Sequence, residues 1–312
     1  MELRLIKRNF ARGEIFLALA FWGVGLAGAA LGQPHILQWL FFFAWYPLIL
    51  FLDGLLCRLR GDSWLLDRPR ALFHLAFWSV SIWLIFEAFN LVLKNWGYVG
   101  VIANPWLRWP GYALAFATVL PGVLLAAEAL SALGAWRGVR SRPVKLPFAW
   151  EPAALLLGTA FLVLPPALSR YAFPLVWGAF FFLLDPFSKM LGGHSLIQAW
   201  LDGERREHLC LLTAGLCCGL WWEAWNYPAT AKWVYTLPVL NFGKIFEMPV
   251  LGYLGFLPFA LECAVMYNFM RVLDERVLVT PRRCRYAMVI QLAFWIMMFA
   301  AMDKWTVISF QS

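Results

Sequence analysis

Nine apolar runs, each long enough to cross roughly 30 Å of hydrocarbon as a helix, follow one another near residues 14–32, 36–57, 71–93, 111–134, 151–168, 172–192, 208–226, 248–270 and 286–303. This recurrence constrains the chain more than any other feature. A backbone that meets lipid must satisfy its own N–H and C=O groups, so such runs fold as helices. The apolar share is 62%, the charged share 14% and the mean hydropathy +0.68, whereas soluble domains have about 45–50% apolar and about 25% charged residues. The expected class is an all-α multi-pass membrane protein. Disorder, a disulfide scaffold and a soluble enzyme on one short anchor are excluded by the same pattern.

The net charge of +8 invites a nucleic-acid reading, but positive charge in a membrane protein gathers in cytoplasmic loops. Of the 26 basic residues, all but Lys94, Arg108, Arg170, Lys232, Lys244 and Lys304 fall on one side when the runs alternate across the bilayer. The expected topology has a cytoplasmic N-terminus and an external C-terminus in the plasma (inner) membrane, with no nucleic-acid partner. No oligomeric partner is read from the sequence. Cys57, Cys210, Cys217, Cys218, Cys263 and Cys284 form no C-x-x-C pair, and His35, His74, His194 and His208 are scattered. Neither metal nor cofactor is expected.

The first run imitates a signal peptide, with basic residues before it and Ala27-Gly28-Ala29-Ala30 at its end. Because it has a counterpart later in the chain, an uncleaved helix is expected. Gly23, Gly25 and Gly28 match a dinucleotide fingerprint in spelling alone; with no strand before them they read as small residues at a helix contact.

Segments recur in the same order. Phe51-Leu52-Asp53 matches Leu183-Leu184-Asp185, Phe86-Glu87-Ala88-Phe89-Asn90 matches Trp222-Glu223-Ala224-Trp225-Asn226, and Pro110-Gly111-Tyr112 matches Leu251-Gly252-Tyr253. We expect two four-helix repeats, 1–135 and 136–273, followed by a loop and ninth helix at 274–312. An even number of spans gives both repeats one orientation, related by an axis along the membrane normal.

At about 100° per residue, Phe86, Glu87, Phe89 and Asn90 occupy an arc of about 160°. One helix face therefore carries a carboxyl, an amide and two rings, and Trp222, Glu223, Trp225 and Asn226 repeat it. A charge at this depth costs about 2.5–3.5 kcal/mol on insertion scales and usually faces a cavity or the bundle interior. Such surroundings favour the neutral acid, which can donate a proton. The alternative is that the Glu–Asn pairs only hydrogen-bond across helices, holding the halves together. For Asp53 and Asp185, near the cytoplasmic boundary, an interfacial ion pair is expected, with Lys189 the partner of Asp185. A proton donor beside ring faces suits protonation of an alkene and stabilisation of the resulting carbocation.

The run Trp222-Glu223-Ala224-Trp225-Asn226, then Trp233-Val234-Tyr235, then Pro249 to Phe256 resembles the membrane lycopene cyclase domain of carotenoid cyclases. The resemblance implies acid-initiated cyclisation or isomerisation of a polyene without a cofactor. Leu251 and Gly252 stand where that family has paired glutamates, and Glu247 would replace them. On this basis the candidate catalytic residues are Glu223, Glu87, Glu247, Asn226 and Asn90, with Glu223 the acid, Glu87 its partner and the amides orienting them. The candidate substrate-binding residues are Trp222, Trp225, Phe86, Phe89, Trp233, Tyr235 and Tyr253. The expected function is a membrane enzyme acting on an isoprenoid or other lipid. A lipid or small-molecule transporter built on parallel repeats is the alternative, and an assembly subunit without a cavity the third. No carboxylate cluster able to hold Mg²⁺ against a diphosphate occurs in any run.

Overall fold

A computed structural model describes residues 2–168, 170–238 and 241–311. In chain order the elements are α1 (Glu2–Ala30), α2 (Pro34–Gln38), α3 (Leu40–Arg60), α4 (Trp64–Asp67), α5 (Pro69–Leu93), β1 (Trp96–Val99), α6 (Pro105–Phe116), α7 (Val119–Leu133), α8 (Trp150–Leu168), α9 (Val176–Met190), α10 (Leu196–Leu201), α11 (Arg206–Asn226), β2 (Lys232–Tyr235), β3 (Lys244–Ile245), β4 (Met248–Pro249), α12 (Phe256–Arg276) and α13 (Pro281–Trp305). The protein is a multi-pass helical membrane protein. Among the described residues, eight helical segments are long and apolar enough to cross a bilayer, α6 and α7 counting together as one. The expected run at 208–226 forms α11, but Gly, Trp, Glu223 and Asn226 dilute its hydropathy. Its small residues serve packing instead: a Cβ on Gly215 would lie 2.2 Å from the Phe256 carbonyl oxygen, so α11 and α12 cross in close contact there.

The central core draws on both halves of the chain, with Trp45, Leu120, Phe86, Trp222, Phe259 and Met266 buried together. Helices α1, α8 and α13 lie outermost and expose Phe16, Leu19, Leu156 and Ile296. In a lipid solvent these apolar faces are in their preferred surroundings.

At the end of the bundle that carries most of the basic residues, one arrangement occurs twice. Asp53 accepts hydrogen bonds from Ser63 Oγ (2.6 Å) and the backbone N–H groups of Trp64 (2.6 Å) and Leu65 (3.3 Å). Asp185 accepts from Ser195 Oγ (2.5 Å), Leu196 N (2.8 Å) and Ile197 N (3.1 Å). Each serine also caps its short helix, Ser63 accepting from Leu66 N and Ser195 from Gln198 N. The expected ion pairs are therefore corrected. The carboxylates satisfy unpaired N–H groups at the start of α4 and α10, where the helix dipole also favours negative charge. Lys189 instead meets Glu151 and Gln198, both at 2.7 Å.

In the loop between α9 and α10, His194 Nε2 lies 2.8 Å from Glu207 Oε2. Hydrogen bonding to that carboxylate holds the imidazole pKa above its ordinary value of 6.5. A raised folded-state value contributes stability below the unfolded pKa and loses it as pH rises through the folded one. The detergent unfolding midpoint should fall as pH increases from about 6.5 upward, and His194→Gln should remove that part of the slope. The pair is partly exposed, so the effect is small. An unchanged slope in His194→Gln assigns the pH dependence to another group.

At the opposite end, β1 and β2 form a two-stranded antiparallel ribbon. Trp96 stands opposite Tyr235, and Tyr98 opposite Trp233. The ribbon joins segments on either side of α6 to α11, and the C-terminal residues after α13 run beside it through Tyr98 N to Thr306 O (2.8 Å) and Ile308 N to Tyr98 O (2.7 Å).

Candidate functional site

Beneath the ribbon lies a cavity of about 480 Å³, within the size range of sites for small apolar ligands. Its wall is rich in aromatic rings and comes from both halves: Trp83, Trp96, Tyr98 and Phe116 from one, Trp177, Trp222, Trp233, Tyr235, Phe256 and Phe259 from the other. Trp222 lies in edge contact with Trp233 at 5.4 Å between centroids and meets Trp83 at 5.2 Å. None of the lining residues comes from the loops at the basic end.

The carboxyls sit one layer behind this wall. Glu87, on α5, is fully buried and accepts at Oε1 from Trp96 Nε1 (2.9 Å) and the Tyr98 hydroxyl (2.5 Å). Glu223, on α11, is equally buried and accepts at Oε1 from Trp233 Nε1 (3.1 Å) and the Tyr235 hydroxyl (2.7 Å). Trp233 Nε1 also reaches the Tyr235 oxygen at 3.1 Å. The second oxygen of each carboxyl, Glu87 Oε2 and Glu223 Oε2, is buried without a hydrogen-bond partner. Burial, then the neighbouring carboxyl, holds both the Tyr98 and Tyr235 phenols well above their ordinary pKa of 10, so both retain their protons.

Each asparagine of the Glu-x-x-Asn pair clamps the strand that follows it. Asn90 Nδ2 donates to Trp96 O (2.9 Å) while its Oδ1 accepts from Asn95 N (2.9 Å) and Trp96 N (3.1 Å). Asn226 Nδ2 donates to Trp233 O (2.9 Å) and its Oδ1 accepts from Trp233 N (3.1 Å). The amides thus fix the two Trp-x-Tyr strands, which in turn hold the carboxyls.

Of the seven expected ring residues, Trp222, Trp233 and Tyr235 line the cavity. Phe86 stacks on Trp177 at 5.1 Å, Phe89 meets Phe180, Trp225 packs against Trp221, and Tyr253 donates to Ile245 O at 3.0 Å; none of these four lines it. Glu247 stands in the turn joining β3 and β4, where Lys232 Nζ meets it at 2.6 Å. Trp96 and Tyr98 were not expected, although Trp-x-Tyr after the asparagine already stood in the second half as Trp233-Val234-Tyr235.

A buried ion pair also escaped the sequence reading. Arg108 contacts both Asp303 oxygens (2.8 and 2.6 Å) and donates to the carbonyls of Ile102 (2.6 Å) and Ala103 (2.5 Å). Asp303 accepts further from Trp109 Nε1 at 2.7 Å and the Tyr112 hydroxyl at 3.3 Å. This network fastens α13 to α6 at the edge of the cavity. Among the described residues, no group of three or more His, Cys, Asp or Glu side chains is arranged to hold a metal ion. No family model, no curated protein and no solved structure matches this chain.

Proposed function

We propose that this chain is a membrane enzyme acting on an isoprenoid or other hydrophobic lipid, and that it isomerises or cyclises an alkene by acid catalysis without a cofactor. The reading includes a tandem duplication, residues 1–135 and 136–273, with the α13 segment added. One observation carries it: in each half a buried glutamate is hydrogen-bonded to a tyrosine that lines one shared, ring-walled cavity. The resemblance of Trp222 to Asn226, Trp233 to Tyr235 and Pro249 to Phe256 to the lycopene cyclase domain points the same way.

With Glu223 neutral, the hydrogen bond to Tyr235 reverses: the phenol turns its O–H away from Glu223 Oε1 and gives that proton to an alkene carbon, while the carboxyl passes its own proton to the Tyr235 oxygen and becomes a carboxylate. The cation so formed lies against the faces of Trp222 and Trp233, whose negative quadrupole favours it. Loss of a proton from a neighbouring carbon, returned through the phenol, restores the acid. The product is an isomer of the substrate, with no net change in protons. Glu87 and Tyr98 form the matching pair, serving as the base or as a structural counterpart. The position of the cavity at one end of the bundle supports an enzyme over a transporter, which needs access from both faces.

The test uses heavy water. Incubated in D₂O with a lipid extract, the protein should yield an isomeric product with deuterium at a carbon position, because the acid exchanges with solvent before transfer. An isomer formed without carbon-bound deuterium overturns acid initiation, and the absence of any altered lipid overturns the enzyme reading.

A further inference from the structure

The cavity is not uniformly apolar. Asn95 immediately precedes Trp96, is fully buried and lines the cavity, yet neither its Nδ2 nor its Oδ1 has a hydrogen-bond partner. Gln38 lines the same cavity with its Oε1 buried and unpartnered, while its Nε2 donates to Gly100 O at 3.1 Å. Leaving an amide group buried and unpaired costs about 1–3 kcal/mol, so such groups in folded proteins are normally satisfied. The lining residues therefore leave two donors, Asn95 Nδ2 and Trp83 Nε1, and two acceptors, Asn95 Oδ1 and Gln38 Oε1, unpaired; the amides supply both functions needed to partner a hydroxyl, which donates and accepts.

Charge narrows the choice further. The two cations among the lining residues are already engaged: Arg108 by Asp303 and two carbonyls, Lys232 by Glu247 at 2.6 Å and the Tyr227 carbonyl at 3.3 Å. Among the described residues, a phosphate or carboxylate entering here would find no free positive charge to offset its desolvation. Lys232 immediately precedes Trp233 just as Asn95 immediately precedes Trp96, so at this position the two halves differ. Only the first half presents an unpaired neutral amide.

We infer that the ligand of this cavity is an isoprenoid or lipid alcohol, its hydroxyl read by the Asn95 and Gln38 amides, rather than a plain hydrocarbon or a charged prenyl ester. The inference rests on the apolar-ligand reading above and adds the polar function of the ligand.

Quenching of the intrinsic fluorescence of the 19 tryptophans provides the measurement. The probes are geranylgeraniol, its methyl ether and the deoxygenated hydrocarbon of the same chain, added to the full-length protein in detergent. The alcohol should bind about tenfold more tightly than the hydrocarbon, with the ether between them because it accepts but cannot donate. Asn95→Leu should remove most of the alcohol's advantage over the hydrocarbon, leaving only what Gln38 Oε1 accepts from it, and Gln38→Leu should narrow the gap between alcohol and ether, since Asn95 Oδ1 still accepts. Equal binding of all three probes to the unaltered protein overturns the inference while leaving an apolar site. Failure of every probe to bind removes the apolar-ligand reading and the inference together. The wild-type comparison decides the matter even where a variant does not fold.

Discussion

Glu223→Gln should lower turnover of the lipid substrate by about 10²–10⁴-fold, the range expected when a positioned general acid is lost. The substitution retains the shape of the side chain, and the amide oxygen can still accept from Tyr235 and Trp233, which meet Glu223 Oε1 at 2.7 and 3.1 Å. What it removes is the transferable proton. Turnover is read by deuterium entry into the product in D₂O, and the fold by the detergent unfolding midpoint, which should move little. Tyr235→Phe should produce a loss of similar size, since it removes the hydroxyl that links this carboxyl to the cavity wall. If Glu223→Gln turns over at the wild-type rate, Glu223 is not the acid. Glu87→Gln in the same assay then separates a base from a structural counterpart: a comparable loss marks a chemical role, and a shifted midpoint with normal turnover marks a structural one.

Arg108→Ala should destabilise the protein by about 3–5 kcal/mol, as expected when one member of a buried ion pair is removed. The Arg108 and Asp303 side chains are only 7% and 16% exposed, so water does little to screen the charge left behind. The variant strands Asp303 beside Trp109 and Tyr112 and also frees the carbonyls of Ile102 and Ala103, which Arg108 now satisfies. The unfolding midpoint in detergent should drop accordingly. The double variant Arg108→Leu with Asp303→Leu should recover much of the loss, because an apolar pair needs no compensation. A loss below about 1 kcal/mol for Arg108→Ala is the value typical of an exposed pair and would show that α13 is held by its other contacts.

The doubled motif was legible because each copy lies within a few residues on one helix, and a helix fixes which side chains share a face. Phe86, Glu87, Phe89 and Asn90 do form one face, yet only the neighbours decide what that face meets. Phe86 and Phe89 meet Trp177 and Phe180, leaving the cavity to rings that the strands bring in. Asp53 and Asp185 make the same kind of contacts, but with hydroxyl and backbone N–H groups and not with the expected cations. The groups they satisfy lie ten to twelve residues downstream, at helix starts that a search for nearby opposite charge overlooks. The Arg108–Asp303 link left no trace in spacing, since 195 positions separate the two residues.

By itself the sequence determined that this is a helical membrane protein, where most of its long apolar helices lie, and that a Glu-x-x-Asn element with flanking rings occurs twice. These follow from short-range constraints: the thickness of hydrocarbon, the demand that each backbone group find a partner nearby, and the angular step of the helix. Only the tertiary structure decided that the carboxyls stand behind tyrosines, that strands distant in sequence pair above a common chamber, and that the Asn95 amide and the Gln38 oxygen there remain unpaired. Those outcomes depend on which remote segments pack together, a matter of three-dimensional fit that local pattern does not encode.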